Sequence, residues 1–286
     1  MKLRRVGIIS KPKKEDICAA APRLLDWLRQ RGIEAVCDQE TLTCLDQKGG
    51  LPREQIPAQV DLLVVLGGDG TLLAAARHVQ DYDVPLLAVN LGSLGFLTEV
   101  TLDEMYDTLE GVLADRHRIE SRRLLEASVQ RGAQTIARYR ALNDVVLHKA
   151  ALARIMDFDV TIDSSFVSRI RADGLILSTP TGSTAYSLSA GGPIVLPSVD
   201  AMVVTPIAPH MLTNRPLVIP GGSRVEVQVH NPSEAVYVTV DGQVGEELET
   251  GDRVRAQKSD RSLQLVVSPH RDYFKVLRSK LRWGER

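Results

Sequence analysis

A glycine-rich segment between an apolar run and a helix-forming run constrains this chain more than any other feature. It reads Gly-Gly-Asp-Gly-Thr over residues 67–71. Residues 62–66 before it are apolar, short and branched enough for a buried strand, and residues 72–79 after it have helical composition. Glycines at such a junction let phosphate approach the bare backbone, and the start of a helix offers unpaired N–H groups to an anion. The segment therefore predicts a strand, a phosphate-binding loop and a helix.

Asp69 is the unusual residue of this segment, because a carboxylate repels phosphate. Its presence favours a chemical role, either as a base or as the anchor of a metal ion. A plain turn stays open as the alternative, since Asp and Gly are the commonest turn formers. Two familiar phosphate motifs are excluded: no Gly-Lys pair occurs for a Walker loop, and Leu73 stands where the dinucleotide fingerprint has its third glycine.

Composition narrows the class of protein. The chain has 286 residues, of which 44% are hydrophobic, enough for one large domain or two modest ones. A net charge of −1 and only 4% aromatic residues argue against a nucleic-acid binder. No apolar run approaches the roughly 18 residues that cross a bilayer. The apolar start ends at residues 11–14, too early for a signal peptide, and three cysteines without a paired spacing suggest reduced thiols in a cytoplasmic protein.

The hydrophobic pattern changes along the chain. The first 120 residues alternate strands with helices, which predicts βαβ units; the strands are at 6–9, 33–37, 62–66 and 85–90, and the helices include 72–79 and 102–113. From about Arg122 the runs are short and β-branched, with a hairpin signal at Asp241-Gly242; they lie at 142–147, 158–162, 166–170, 225–229, 236–240 and 263–267. We predict an α/β domain over residues 1–120 with a mostly parallel sheet, completed by the C-terminal segment 268–286, in which residues 273–283 are basic and helix-like. An all-β, sandwich-like domain over residues 121–267 follows from the second pattern.

Two polar features interrupt the β-rich half. Residues 178–187 are rich in Ser and Thr around Gly182. Such clusters are usually loops, although hydroxyl groups also suit sugar and phosphate oxygens. Asn143 and Asp144 lie inside an apolar run, where burial costs several kcal/mol unless partners are supplied. Those partners are either backbone groups or the hydroxyl groups of a ligand.

Taken in order, these segments resemble bacterial NAD kinases. The similarity rests on Gly-Gly-Asp-Gly-Thr at 67–71, Leu-Gly-Phe-Leu-Thr at 94–98, Asn-Asp-Val-Val at 143–146 and Thr-Gly-Ser-Thr-Ala-Tyr-Ser at 181–187. It continues through Gly-Gly-Pro at 191–193 and Arg-Pro-Leu-Val at 215–218, and it covers roughly residues 60–283. Diacylglycerol and sphingosine kinases share the first segment and phosphofructokinase does so more distantly, whereas the fourth segment is far more specific to NAD kinases.

The resemblance implies a phosphotransferase. NAD kinases move the γ-phosphoryl group of ATP, or in some members of inorganic polyphosphate, to the 2′-hydroxyl of the adenosine ribose of NAD, giving NADP. Asp69 matches the catalytic aspartate, which takes the proton of that hydroxyl. The phosphate-donor loop comprises Gly67, Gly68, Gly70 and Thr71. The implied cofactor is a divalent cation, Mg²⁺, held mainly by the substrate phosphates, and no metal ligand is assigned.

The resemblance also implies a set of NAD-binding residues: Asp69, Gly70, Asn143, Asp144, Arg154, Arg171, Asp173, Thr184, Ala185, Tyr186, Ser189 and Gln243. Asp144 stands where the family has Glu, which keeps the charge but shortens the reach. Arg171 and Asp173 are two residues apart, so on one strand they would point to one face. A surface ion pair is the alternative explanation for these two.

Two other functions remain open at this stage, a lipid kinase that uses the same loop and a nucleotide-binding sensor without catalysis. The family resemblance further implies a homodimer or homotetramer. We expect NAD and ATP as small-molecule partners, and neither nucleic acid nor membrane.

Overall fold

The computed structural model describes residues 3–11, 15–92, 94–149, 155–230 and 235–284. The chain divides into two compact units. The first comprises the residues up to Ser121 together with those from Leu263 onward, and the second comprises Arg122–Ser262. None of the described helices is long and apolar enough to cross a membrane.

The two units differ in their elements. The first unit begins with β1 (Arg5–Ser10), α1 (Glu15–Gln30), β2 (Glu34–Cys37), α2 (Gln39–Thr43), β3 (Leu62–Leu66), α3 (Asp69–Val79), β4 (Leu86–Asn90), β5 (Val100–Thr101) and α4 (Met105–Leu113). The second is built from β6 (Arg118–Arg131), β7 (Gln134–Ala141), β8 (Asp144–Lys149), β9 (Met156–Ile162), β10 (Ser165–Ala172), β11 (Gly174–Ser178), α5 (Tyr186–Ser189), β12 (Ala201–Ile207), β13 (Leu217–Pro220), β14 (Val225–His230), β15 (Val236–Val240), β16 (Val244–Leu248) and β17 (Arg253–Val267). The helix α6 (Tyr273–Leu281) belongs to the first unit, and β6 and β17 contribute residues to both.

The sheet of the first unit is parallel in every described pairing. Its strand order is β17–β4–β3–β1–β2, and β5 pairs with the end of β4. Residues of β1, β3 and β4 form one core with α1 and α4. Ser10 pairs with Leu66, and Leu66 pairs with Val89, so β1, β3 and β4 end at the same edge. The segments that leave these three strands therefore meet, which is where ligands bind in open α/β sheets.

The second unit is antiparallel. One of its sheets has the order β13–β12–β11–β8–β15–β16, and the other contains β10–β9–β14–β17 and the hairpin β6–β7. Buried residues of both sheets form one core, which Phe158, Leu175 and Val238 exemplify. The predicted hairpin at Asp241-Gly242 joins β15 to β16, and both residues have the positive φ that such turns require.

The structure confirms the predicted fold class, a parallel α/β part and an all-β part. The elements that the pattern did not predict include the long hairpin β6–β7, the strands β5, β11, β12 and β13, and the short helices α2 and α5. In β6 the sequence RIESRRLLEASVQR carries charged residues on its first half, so the alternation that identifies a half-buried strand is interrupted. In β13 most residues are exposed, and an apolar run without alternation gives no signal for an edge strand.

Candidate active site

The glycine-rich segment lies at the carboxyl edge of the parallel sheet. β3 ends at Leu66, and α3 begins at Asp69, three residues earlier than the pattern predicted. Gly67 N–H donates to the carbonyl of Val89, which fixes the start of the loop against β4. The carboxylate of Asp69 therefore lies in the first turn of a helix, where the helix dipole stabilises a negative charge.

The Asp69 carboxylate is held by the turn at residues 96–98. Phe96 N–H donates to Oδ2 at 2.9 Å, and Leu97 N–H and Thr98 N–H donate to Oδ1 at 3.2 and 3.1 Å. The Thr98 hydroxyl donates to Oδ1 at 2.8 Å. An ionised carboxylate has about four acceptor positions. Because three of the four donors share Oδ1, Oδ2 keeps room for one more donor.

Gly95 and Asn90 shape this arrangement. A Cβ atom on Gly95 would overlap Asp69 Oδ1 and Thr98 Oγ1, so only glycine allows the turn to approach the carboxylate this closely. The amide of Asn90 donates to Thr98 Oγ1 at 2.7 Å, which leaves the Thr98 proton directed at Asp69. The chain of hydrogen bonds from Asn90 through Thr98 to Asp69 fixes the orientation of the carboxylate.

A cleft of about 280 Å³ opens beside the loop. We call it the loop cleft, and its lining residues are Lys11, Gly67, Gly68, Asp69, Asn90, Leu91, Gly92, Gly95 and Lys280. Of the predicted donor-loop residues, Gly70 and Thr71 do not line it. Thr71 instead packs against Gly67, where its side chain leaves no space for a Cβ atom. Gly68 has no atom within 4 Å of the position of a Cβ, so the protein itself gives no steric reason for glycine there.

The second unit contains a larger cavity of about 580 Å³. We call it the sheet cavity, and it is lined by Asn143, Asp144, Val146, His148, Lys149, Asp173, Ala185, Tyr186, Ile207, Thr239, Asp241 and Gly242. Five of the predicted NAD-binding residues are among these: Asn143, Asp144, Asp173, Ala185 and Tyr186. The strands β8, β11 and β15 are neighbours in one sheet, and this places residues that are distant in sequence around one space.

Two carboxyl groups meet at the start of β8. Asp241 accepts hydrogen bonds from the backbone N–H groups of Leu142, Asn143 and Asp144 at 2.7 to 3.1 Å, which favours its ionised form. No such donor reaches the Asp144 side chain within the described residues. Burial raises the pKa of Asp144 to about 7, and the negative charge of Asp241 adds to the effect. Asp144 can therefore act as a hydrogen-bond donor as well as an acceptor near neutral pH.

The Ser/Thr-rich segment uses most of its hydroxyl groups inside the protein. Thr179 donates to the carbonyl of Leu142, Ser183 to that of Pro180, and Thr184 to that of Thr181. Ser187 exchanges a hydrogen bond with Thr205. These bonds build the turn that ends at Ala185 and Tyr186, which line the cavity. These hydroxyl groups therefore hold the loop together, and Thr184 and Ser189 are not among the described residues that line the cavity.

The prediction that Arg171 and Asp173 share one strand face is wrong. Arg171 lies on β10 in one sheet, whereas Asp173 stands immediately before β11 in the other sheet. Arg171 is exposed and forms an ion pair with Asp157 at 3.7 Å. The alternative explanation was also a surface ion pair, but with Asp173 as the partner. Asp173 pairs with Lys149 at 2.8 Å within the cavity lining. The chain changes sheet between the two residues, so their spacing carried no information about a common face.

Two predicted residues remain. Gln243 follows the hairpin turn, is half-buried and does not line the cavity. Arg154 lies outside the described residues.

Comparison with known proteins identifies the family. The profile described as the N-terminal domain of ATP-NAD kinase matches residues 6–117, and that of its C-terminal domain matches residues 142–268. The NAD kinase of Solibacter usitatus is 50% identical over 284 residues, with 99% of each chain covered. The NAD kinase of Geotalea daltonii is 46% identical over 284 residues, covering 99% of this chain and 100% of the relative. The chain belongs to the NAD kinase family.

Solved structures of the family agree with the fold. A crystal structure of yeast NADH kinase complexed with NADH has a TM-score of 0.91 and 30% identity, and it covers 100% of this chain and 89% of the yeast chain. An NAD kinase from Archaeoglobus fulgidus, crystallised with ATP, has a TM-score of 0.76 at 24% identity, covering 97% of this chain and 98% of that one. The second likeness shows the fold alone.

The family implies a divalent metal, and the described residues offer little to hold one. They contain no group of three or more His, Cys, Asp and Glu side chains suited to a metal ion. Asp69 is the single carboxylate among the described residues lining the loop cleft, and it already accepts four hydrogen bonds from the turn at residues 96–98. A metal site made of protein ligands alone therefore does not fit this part of the NAD kinase chain.

Sequence reasoning missed several residues of these two sites. Three of them follow or end parallel strands, namely Lys11, Asn90 and Gly95. Their position at the carboxyl ends of these strands could have identified them as site residues. Asp241 was recognised only as a turn residue, although its carboxylate organises the start of β8. Lys149 and Lys280 carry no local signal, because each reaches its site through long-range folding.

Proposed function

We propose that this NAD kinase transfers the terminal phosphoryl group of ATP to the 2′-hydroxyl of the adenosine ribose of NAD, with Asp69 as the proton acceptor. Membership of the family makes the conversion of NAD to NADP its activity. One observation carries the assignment of Asp69: its carboxylate is held by four donors at the loop cleft while Oδ2 keeps an acceptor position.

The chemistry needs a base because a ribose hydroxyl is a weak nucleophile. As the 2′-oxygen attacks the terminal phosphorus, its proton passes to Asp69 Oδ2, the new O–P bond forms, and the bond to the leaving ADP oxygen breaks. Proton transfer to a positioned base contributes about 10²–10⁴-fold to such reactions. The four donors also fix the direction of the carboxylate, and positioning is the main contribution of a protein to phosphoryl transfer.

The donor phosphates bind in the loop cleft in this proposal. Gly68 leaves the backbone uncovered, and the N-terminal turn of α3 lies beside the cleft, at the end of the helix that attracts an anion. Gly70 and Thr71 are assigned to this loop by the family motif, and the side chain of Thr71 packs against Gly67. A Mg²⁺ ion bound to the donor phosphates would reduce the negative charge of the triphosphate.

The dinucleotide is held by the sheet cavity in this proposal. Tyr186 is 46% exposed and offers an aromatic face on which a base can stack. Asn143, Asp144 and Asp173 supply polar atoms for hydroxyl and amino groups of the ligand. The yeast NADH kinase, whose structure contains NADH, has the same fold at 30% identity. The roles of Arg154, Arg171, Thr184, Ser189 and Gln243 in binding NAD stay predictions from the family motif.

A coupled assay of NADP formation tests the proposed function. The wild-type chain should form NADP from NAD and ATP, and parallel reactions with polyphosphate as the donor, or with NADH or diacylglycerol as the acceptor, define its substrates. Asp69→Asn should lower kcat by about 10²-fold or more. Asp61→Asn is the matched control, because Asp61 also accepts backbone N–H groups in the same unit but lies at the opposite end of β3. Phosphorylation of diacylglycerol without NADP formation, or an Asp69→Asn variant as fast as wild type, contradicts the proposal.

The cytoplasmic location and the homodimeric or homotetrameric state stay predictions. Sedimentation of the purified chain measures the second directly.

A further inference from the structure

Two lysine side chains line the loop cleft from distant parts of the chain. Lys11 follows β1, and its backbone N–H donates to the carbonyl of Leu66 at 3.0 Å, directly before the glycine-rich segment. Lys280 lies in the last turn of α6. The parallel sheet brings the first lysine to the loop, and the C-terminal helix brings the second.

Neither ammonium group has an anionic partner among the residues that the structure describes. Other lysines of the chain do: Lys149 pairs with Asp173 at 2.8 Å, and Lys258 pairs with Asp200 at 3.1 Å. Within the described lining of the cleft, the one carboxylate is Asp69, and its oxygens face the turn at residues 96–98. The cleft therefore combines two unpaired positive charges with a carboxylate whose charge is already compensated by hydrogen-bond donors.

This arrangement suits a ligand with several adjacent negative charges. Two cations in a confined space repel each other, and a polyanion removes that repulsion while gaining two attractive contacts. Ammonium groups are effective phosphate ligands, as the lysine of the Walker loop illustrates. The chain has no Gly-Lys pair for such a loop. A lysine that is distant in sequence but close in the folded chain therefore replaces the lysine of the loop itself.

We propose that Lys11 and Lys280 bind the terminal phosphates of the phosphoryl donor, a linear chain of at least three phosphates that belongs either to ATP or to inorganic polyphosphate. This inference rests on the proposed function, in which the loop cleft is the donor site. The two lysines bring positive charge to the phosphate that is transferred and so share the neutralisation of the triphosphate with its bound metal.

A simpler role exists for Lys280. A cation in the last turn of a helix interacts favourably with the C-terminal end of the helix dipole, whatever the ligand. That role affects the stability of α6 but not the affinity for phosphate. The experiment therefore has to separate folding from donor binding.

The test uses Lys11→Gln, Lys280→Gln and Lys280→Arg in the full chain. Lys275→Gln is the matched control, because Lys275 is on the same helix but does not line the cleft. Steady-state assays give KM for ATP and for NAD, and polyphosphate is tested as the only donor. Calorimetric titration with inorganic tripolyphosphate gives binding without turnover, and thermal unfolding checks the fold of each variant.

Each Gln variant should raise KM for ATP and the Kd for tripolyphosphate about 10- to 100-fold, the range expected for the loss of a hydrogen bond between charged groups. KM for NAD should stay within about twofold, and Lys280→Arg should recover most of the loss because it restores the charge. Parallel losses with ATP and with polyphosphate assign the lysines to the shared phosphate chain. A loss with ATP alone overturns that assignment.

If the KM for ATP and the Kd for tripolyphosphate of a Gln variant match those of Lys275→Gln, the substituted lysine is not part of the donor site. Failure of the proposed function looks different, because then the wild-type chain forms no NADP at all. In that case the tripolyphosphate titration still decides whether the two lysines bind a phosphate chain.

Discussion

Two aspartates, one in each unit, have opposite surroundings. Asp69 accepts four hydrogen bonds from the turn at residues 96–98, and these stabilise its charge. Asp144 is 5% exposed, receives no described donor on its carboxyl group and lies beside the charged Asp241. The first carboxylate is held in one orientation by its donors, and burial lets the second hold a proton near neutral pH.

In the proposed function, one residue type serves two tasks. A base must be correctly directed before the substrate arrives, and backbone donors fix the direction of the carboxylate at the loop cleft. A binding group that is both donor and acceptor can either donate a hydrogen bond to a sugar hydroxyl or accept one from it. In the sheet cavity, burial beside a second carboxylate favours the protonated carboxyl group that can do both.

The largest effect is expected when the orientation of Asp69 is disturbed without changing its charge. In Gly95→Ala the new Cβ would overlap Asp69 Oδ1, so the carboxylate must move. A displacement of about 1 Å at a reacting group can cost 10²-fold, and we expect kcat to fall by about that factor. The measurement is steady-state NADP formation. Gly111→Ala is the control, because the nearest atom to its Cβ is 3.9 Å away, and it should retain wild-type kcat. Equal kcat values for Gly95→Ala and Gly111→Ala would show that the turn at residues 96–98 does not affect catalysis.

The raised pKa of Asp144 predicts that the free energy of unfolding depends on pH. Its pKa of about 7 in the folded state exceeds the ordinary value of 3.8, so the folded state binds the proton more tightly. The resulting stability is complete below about pH 4 and is lost as pH rises through about 7. Between pH 5 and pH 8, wild type should lose on the order of a few kcal/mol relative to Asp144→Asn in urea unfolding.

Asp163→Asn is the control for that titration. The backbone N–H of Arg224 donates to the Asp163 carboxylate and lowers its pKa, so its contribution is lost only as pH falls below the ordinary range of a carboxyl group. Its stability relative to wild type should not change between pH 5 and pH 8. An Asp144→Asn variant that follows wild type across this range would show that Asp144 is ionised throughout.

Tyr186 tests whether the sheet cavity takes a base. Stacking between a base and an aromatic ring is worth about 1–3 kcal/mol, so Tyr186→Ala should raise the Kd for NAD about 10-fold or more. Because Tyr186 is 46% exposed, the melting temperature should change little. Isothermal titration with NAD measures the first quantity, and KM for ATP serves as the internal control. An unchanged Kd would place the base elsewhere.

The smallest effect distinguishes a phosphate loop from a plain turn. Gly68→Ala adds a methyl group that meets no protein atom within 4 Å, so a plain turn would tolerate it without consequence. If phosphate lies against the backbone there, KM for ATP should rise several-fold, up to about 10-fold, at an unchanged melting temperature. A variant with wild-type KM for ATP would favour the turn.

The sequence predicted those parts of the molecule that local physics determines. The strand, loop and helix around Asp69 follow from composition, and the hairpin at Asp241-Gly242 follows from turn chemistry. It did not predict which hydroxyl groups of residues 178–187 would be used internally, because Thr179 bonds to the carbonyl of Leu142, a residue between β7 and β8 that is distant in sequence. Arg171 and Asp173 were misjudged because the chain changes sheet between them. Lys280 could not be found at all, since only the packing of α6 brings it to the loop cleft.

A crystal structure with bound NAD tests the central claim most directly. The quantity to measure is the distance between Asp69 Oδ2 and the 2′-oxygen of the adenosine ribose. We predict hydrogen-bond distance, about 2.6–3.2 Å, with the four donors to the carboxylate retained. A bound dinucleotide whose adenosine ribose lies out of reach of Asp69 would contradict the assignment of this aspartate as the base.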